Sequence, residues 1–103
     1  MTDYLADVQR YDADADAAVV DSIVKHLGIA LRSSRDAALV ACSDKGELDR
    51  VRDSWCMKKL GADEAASNAA VKAVCEAMKG DHQKERVTFY YLAAKELGKL
   101  GEL

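Results

Sequence analysis

Proline is missing altogether from this chain of 103 residues, against an average of about 5%. Proline breaks helix interiors and marks turns, so its absence removes the commonest obstacle to long helical segments. β-Branched residues come singly or in pairs and never in alternating runs, so the usual mark of a half-buried strand is missing too. Apolar stretches extend over only a few residues, far short of the roughly 20 that span a bilayer. The opening Met1-Thr2-Asp3-Tyr4 has neither a basic start nor an apolar run, so no signal peptide is read there. Glycine-rich loops are absent: the 6 glycines stand singly and match no Walker or dinucleotide fingerprint.

Basic surplus is absent as well. The net charge is −3. Residues 1–21 carry Asp3, Asp7, Asp12, Asp14, Asp16 and Asp21 against Arg10 alone. A nucleic-acid binder shows a basic footprint, and an acidic front repels phosphate. Cysteines number 3, at Cys42, Cys56 and Cys75. Their wide spacing contains no close ligand pair of the kind structural zinc uses. Cys75 and His82 stand seven apart, but Gly80 falls between them. With no export signal, the cysteines read as reduced thiols in a cytoplasm, acting as small hydrophobes. The expectation is a fold that needs neither metal nor disulfide, with no cofactor and no membrane segment.

What is present favours helix. Alanine, leucine, lysine and glutamate abound, all good helix formers. Apolar residues make up 50% and charged residues 32%, enough for one core and a well-solvated surface. A length of 103 residues fits a single domain spanning the whole chain, 1–103.

Six segments follow from caps and periodicity. Thr2 or Asp3 starts a first helix to about Tyr11, with Tyr4, Leu5, Val8 and Tyr11 on one stripe. Asp12 to Asp16 reads as a turn feeding a second helix, whose stripe is Val20, Ile23, Val24, Leu27 and Leu31. Ser33-x-x-Asp36 suggests a cap for a short third helix with Ala38, Leu39 and Cys42 facing in. Asp44-x-x-Glu47 opens a fourth helix ending at Lys58-Lys59-Leu60-Gly61. Asp63 opens a fifth, with Ala70, Val71, Val74, Ala77 and Met78 inward and Gly80 in the left-handed position after its end. Asp81 then starts a sixth. The predicted fold is an all-α, compact bundle of five to six helices.

Lys25-His26-Leu27-Gly28, Lys59-Leu60-Gly61 and Lys95-Glu96-Leu97-Gly98 recur 33 and 37 residues apart. A period near 34 invites a helical-repeat reading. The segments between do not match, so a basic residue, an apolar residue and a glycine read as ordinary helix-end grammar.

Tyr4-Leu5-Ala6-Asp7-Val8, Ile23-Val24-Lys25-His26-Leu27-Gly28, Lys72-Ala73-Val74-Cys75, Met78-Lys79-Gly80-Asp81 and Arg86-Val87-Thr88-Phe89-Tyr90-Tyr91-Leu92 carry a family likeness. So does Lys58-Lys59-Leu60-Gly61. Together they resemble a family of uncharacterised small bacterial proteins, the domain of unknown function 2853. The likeness spans nearly the whole chain. It implies a bacterial source and a stand-alone protein, and supplies no substrate, cofactor or catalytic residue.

Candidate functional residues are therefore few. The sixth segment sets Val87, Tyr90, Tyr91, Ala94 and Leu97 on one side, with Phe89 and Leu92 on the other. A helix apolar nearly all round is usually buried; an exposed second face would serve a partner or a dimer. Arg52 lies between Leu48 and Trp55 on one side and Cys56 on the other. There it lays its stem on the core, pairs with an acid, or stacks on Trp55. Phe89, Leu92, Arg52 and Trp55 are thus the candidate interaction surface. The expected function is a non-enzymatic interaction or regulatory protein, its partner a protein or a second copy. The alternative is a weak helix-turn-helix DNA binder built on the third and fourth helices, with Arg50, Arg52, Lys58 and Lys59. Glu47, Asp49 and Asp53 dilute that charge, so nucleic acid is disfavoured as a partner.

Overall fold

Three aspartates set the frame of the molecule. Asp16, Asp44 and Asp63 each stand in extended backbone just before a helix. Their side chains accept the N–H of Ala18, Glu47 and Ala66, donors that a helix start cannot satisfy by itself. The computed structural model describes residues 4–28, 39–81 and 84–102. Helix α1 spans Tyr4–Gln9 and α2 spans Ala17–Leu27. Strand β1 is Leu39–Val40, followed by α3, Lys45–Arg50. The chain then runs without a break into a π-helix, Val51–Lys59. Helix α4 is Glu64–Ala77. Strand β2, Lys84–Glu85, leads directly into α5, Arg86–Glu96. A 3₁₀ turn, Leu100–Glu102, follows.

The fold is all-α in substance, as expected. Its only sheet among the described residues pairs β1 with β2 antiparallel, Leu39 opposite Glu85 and Val40 opposite Lys84. The radius of gyration is 12.3 Å, close to the ~13 Å of a packed domain of about 100 residues. No helix among the described residues is long and apolar enough to cross a membrane.

Helix α5 is the axis. Eight of its eleven residues are buried, and it packs against α1, α2, α4 and the π-helix. Phe89, Val87 and Ala93 have no exposed surface. Its two apolar faces are therefore covered from both sides, while Leu92 is half-buried at the edge.

The π-helix explains how one run buries Val51, Trp55, Cys56 and Leu60 together. Leu60 donates its N–H to the carbonyl of Trp55, five residues back, at 3.0 Å. That wider turn places residues four to five apart on one side. Arg52, flanked by this stripe, stays half-buried.

Five expectations are corrected. No helix carries Leu39 and Cys42 inward: Leu39 is in a strand and Ser43 follows in a turn. The remainder of the third helix, with its Ser33–Asp36 cap, lies outside the described residues, as do Leu31 and His82. Ala77 is exposed rather than buried, because the inward side of α4 is Ser67, Ala70, Val71 and Val74. Asp81 does not start α5, which begins at Arg86 directly after a strand. Gly80 is not left-handed; the positive-φ glycines are Gly28, Gly61 and Gly98. These three are the glycines of the recurring basic–apolar–glycine segment, so that segment marks chain turns after helices and not a repeat. The cysteines need the largest correction. Cys42 and Cys75 form a disulfide with Cα atoms 6.0 Å apart, 33 residues apart in sequence. Cys56 alone is free, and buried.

Candidate functional site

A helix buried on all sides has to bury its polar side chains as well, and each then needs a partner. On α5 these are Arg86, Thr88, Tyr90 and Tyr91. Their partners come from three directions and form the polar shell of the molecule.

The first cluster joins α5 to the acidic front. Thr88 donates its hydroxyl to Asp7 on α1. Tyr91 donates to Asp12 at 2.7 Å, and Lys95 lies 3.3 Å from the same Asp12 oxygen. Asp12 also accepts the N–H of Asp14. Next to it, Asp81 receives both Nη1 and Nη2 of Arg10, at 3.2 and 2.8 Å, together with the hydroxyl of Tyr11. Arg10 reaches Asp7 as well, at 2.7 Å. The acids act as acceptors that hold hydroxyls and cations. The Tyr91 hydroxyl keeps the Asp12 carboxyl below its usual range. Arg10, then Tyr11, does the same for Asp81. Burial, and then Asp81, pushes the Tyr11 phenol up to about 12. Burial, and then Asp12, raises Tyr91 as well.

The second cluster joins α5 to the segment after β1. Arg86 donates to the carbonyl of Leu39 at 3.0 Å and to Glu47 on α3. It also lies 3.4 Å from the Tyr90 hydroxyl. Both charged side chains of the Arg86–Glu47 pair are largely out of solvent, at 9% and 12% exposure. A planar guanidinium with several donors suits this shared duty better than lysine.

The third cluster surrounds Trp55. Its indole N–H donates to the Tyr90 carbonyl at 3.0 Å, inside the core. The Tyr90 and His26 rings lie 4.8 and 5.0 Å from the Trp55 ring. Burial, and then Lys59, lowers the His26 pKa. Burial pushes the Cys56 thiol up to about 11, which keeps it a thiol at neutral pH.

The four residues singled out from sequence divide evenly. Phe89 and Trp55 have no exposed surface; their bulk went into the core. Leu92 and Arg52 keep partial exposure. Arg52 does not stack on Trp55 but pairs with Asp53 at 2.8 Å, Asp49 at 3.5 Å and Glu64 at 3.9 Å, and donates to Asn68 at 3.3 Å. It ties the π-helix to α4. The polar partners Asp7, Asp12, Asp81 and Glu47 were missed by sequence reasoning. The available signal was the pair of tyrosines on a buried helix, whose hydroxyls require acceptors.

No curated protein matches the chain closely enough to serve as a relative. The profile of the family described as Protein of unknown function (DUF2853) matches residues 3–101. With nearly its whole length covered by that match, the chain belongs to this family.

Proposed function

We propose that the protein is a small interaction or regulatory protein, meeting a protein partner or a second copy of itself through a helical surface. The observation that carries this reading is one flank of α4. Ala66, Ala69, Ala73 and Ala77 are spaced three, four and four apart, which aligns them along the helix. Ala66, Ala69 and Ala77 are exposed, and Ala73 is half-buried. Lys72 and Glu76 border this line without lying on it. Methyl groups let a second helix approach closely, so the flank suits a helical partner. Arg52 and Leu92 keep enough exposure to contribute at its margins or elsewhere.

The polar groups support binding over catalysis. Asp7, Asp12, Asp81, Glu47, Thr88 and Tyr91 are engaged with one another or with cations, and act as struts between helices. The helix-turn-helix alternative loses support, because strand and turn occupy residues 39–44 where its first helix was to end. A cytoplasmic setting belongs to the same proposal.

The test is capture from native lysate on the immobilised protein, run beside Ala69→Arg. A set of bound proteins held by the wild type and lost from the variant is expected. Identical capture by both rejects the α4 flank. Salt-eluted retention on heparin would favour a phosphate-binding role instead.

A further inference from the structure

We propose that the Cys42–Cys75 disulfide is a reversible redox latch that fastens residues 39–50 to α4. Three observations converge on this segment. First, its apolar hold is small, with Val40 its one buried residue. Helix α3 has no buried residue, Leu48 is only half-buried, and β1 pairs over two residues. Its other fasteners are polar: Arg86 to the Leu39 carbonyl and Arg86 to Glu47. Second, the disulfide ties this segment to a different element. The Arg86 contacts and the sheet run to α5 and β2 and Asp49 pairs with Arg52 on the π-helix, whereas Cys42 reaches Cys75 near the end of α4. Third, the two sulfur-bearing residues are half-buried at the margin of the core, while Cys56 is fully buried within it. A reductant can reach the pair without opening the core, and the remaining thiol is shielded from exchange.

Segments with few buried contacts open most easily. Among the described residues, cutting the bond at Cys42 leaves residues 39–50 held by Arg86, the two-residue sheet, the buried Val40, the partly buried Leu48 and the continuation of α3 into the π-helix. The core of α1, α2, the π-helix, α4 and α5 takes only Val40 from this segment, and neither cysteine of the bond is among its buried residues.

The chemistry balances with a dithiol reductant. One of its thiolates attacks a sulfur of the pair, and the other sulfur leaves as a thiolate and takes a proton. The second thiol of the reductant resolves the mixed disulfide. Cys42 and Cys75 gain two electrons and two protons in total, and the reductant departs as its own disulfide.

The experiment compares the full chain, oxidised and reduced with dithiothreitol at 25 °C, by briefly pulsed hydrogen exchange and Trp55 fluorescence. Amides of residues 39–50 are expected to exchange faster on the order of tenfold or more on reduction. The α5 amides should stay protected over the same pulse, and the Trp55 spectrum should not change. Oxidised glutathione should restore the first state. The double variant Cys42→Ser, Cys75→Ser should resemble the reduced form, and Cys56→Ala should respond to dithiothreitol as the wild type does. Unchanged exchange at 39–50 overturns the latch. Loss of the native Trp55 spectrum on reduction also overturns it, making the bond a staple of the whole fold. Three titratable thiols persisting after treatment with oxidised glutathione, or a Cys56→Ala variant without the response, would overturn the pairing itself.

Discussion

Helices α3 and α5 are secured in opposite ways. Helix α5 buries eight of eleven residues and holds its neighbours by packing, with its polar groups as struts. Helix α3 buries none and is attached by the Arg86–Glu47 and Arg52–Asp49 ion pairs, the partly buried Leu48, a two-residue sheet, a nearby disulfide and its continuation into the π-helix. Buried area gives cooperative stability, since each residue touches many others. Point fasteners give local stability that one change can remove. Damage to α5 should therefore appear in the global melt, and damage near α3 in local opening.

The largest effect tests the α5 side. Phe89→Ala removes a fully buried ring and should cost about 3–5 kcal/mol. Thermal melts should show a sharp drop for the monomer. A near-normal melting temperature would mean that α5 is not the axis. Reduction of the disulfide comes next. Closing a loop across 33 residues contributes about 3–4 kcal/mol at most in the chain-entropy account. If the bond fastens residues 39–50 alone, the melt in reductant should fall by less than this ceiling, where the sequence alone predicted no change. Glu47→Ala should follow, at about 3 kcal/mol if the loss is shared globally. If α3 is only locally fastened, the melt will lose less than that and amides 45–50 will exchange faster.

The α1 side can be probed by pH. Asp12 and Asp81 have folded pKa values below their unfolded ones. Their contribution is present at neutral pH and is lost as pH falls through the carboxylate range toward the folded values. Tyr11 runs the other way: its pKa is raised from 10.0 to about 12. Its contribution is complete below pH 10 and is lost as pH rises between about 10 and 12. Melting temperature should fall on both sides of these limits, with His26, lowered by burial, adding a loss as pH drops through its ordinary value of 6.5, and Cys56, raised by burial, adding one above pH 9.0. Asp81→Asn should reduce the acid-side loss, and an unaltered acid limb would separate Asp81 from stability.

Much of the frame was legible because its signals are local. Asp16, Asp44 and Asp63 bracket their helices by the short reach of a side chain to its own first turn. The glycines at 28, 61 and 98 mark where chains must turn left-handed. What escaped was decided by distant partners. A two-residue strand leaves no alternation to read, so Leu39 looked helical. Cys42 and Cys75 meet only because the fold brings the turn after β1 to the end of α4. Asp81 resembled a cap but serves Arg10 and Tyr11, some 70 residues away. Phe89 and Leu92 looked equivalent on the wheel, yet neighbouring helices cover one fully and the other in part. The site fared worse than the fold, because its acids are distinguished only by the hydroxyls that reach them.

The smallest expected effect is the sharpest comparison. Asp63 and Asp44 perform the same chemistry, accepting a first-turn N–H at 2.7 and 3.2 Å. Replacing an N-cap of this kind by alanine costs about 1 kcal/mol. The helices they begin differ: α4 carries buried Ser67, Ala70, Val71 and Val74, and α3 carries no buried residue. If stability is cooperative where burial is high, Asp63→Ala should lower the global melt by the full amount. Asp44→Ala should leave the melt within about 0.5 kcal/mol, the range of ordinary surface changes, and instead speed amide exchange over residues 45–50. The loss is the same in kind, and packing decides whether the whole molecule registers it. Equal melting shifts in the two variants would show that α3 unfolds only with the core, and would place residues 39–50 inside the same cooperative unit as α5.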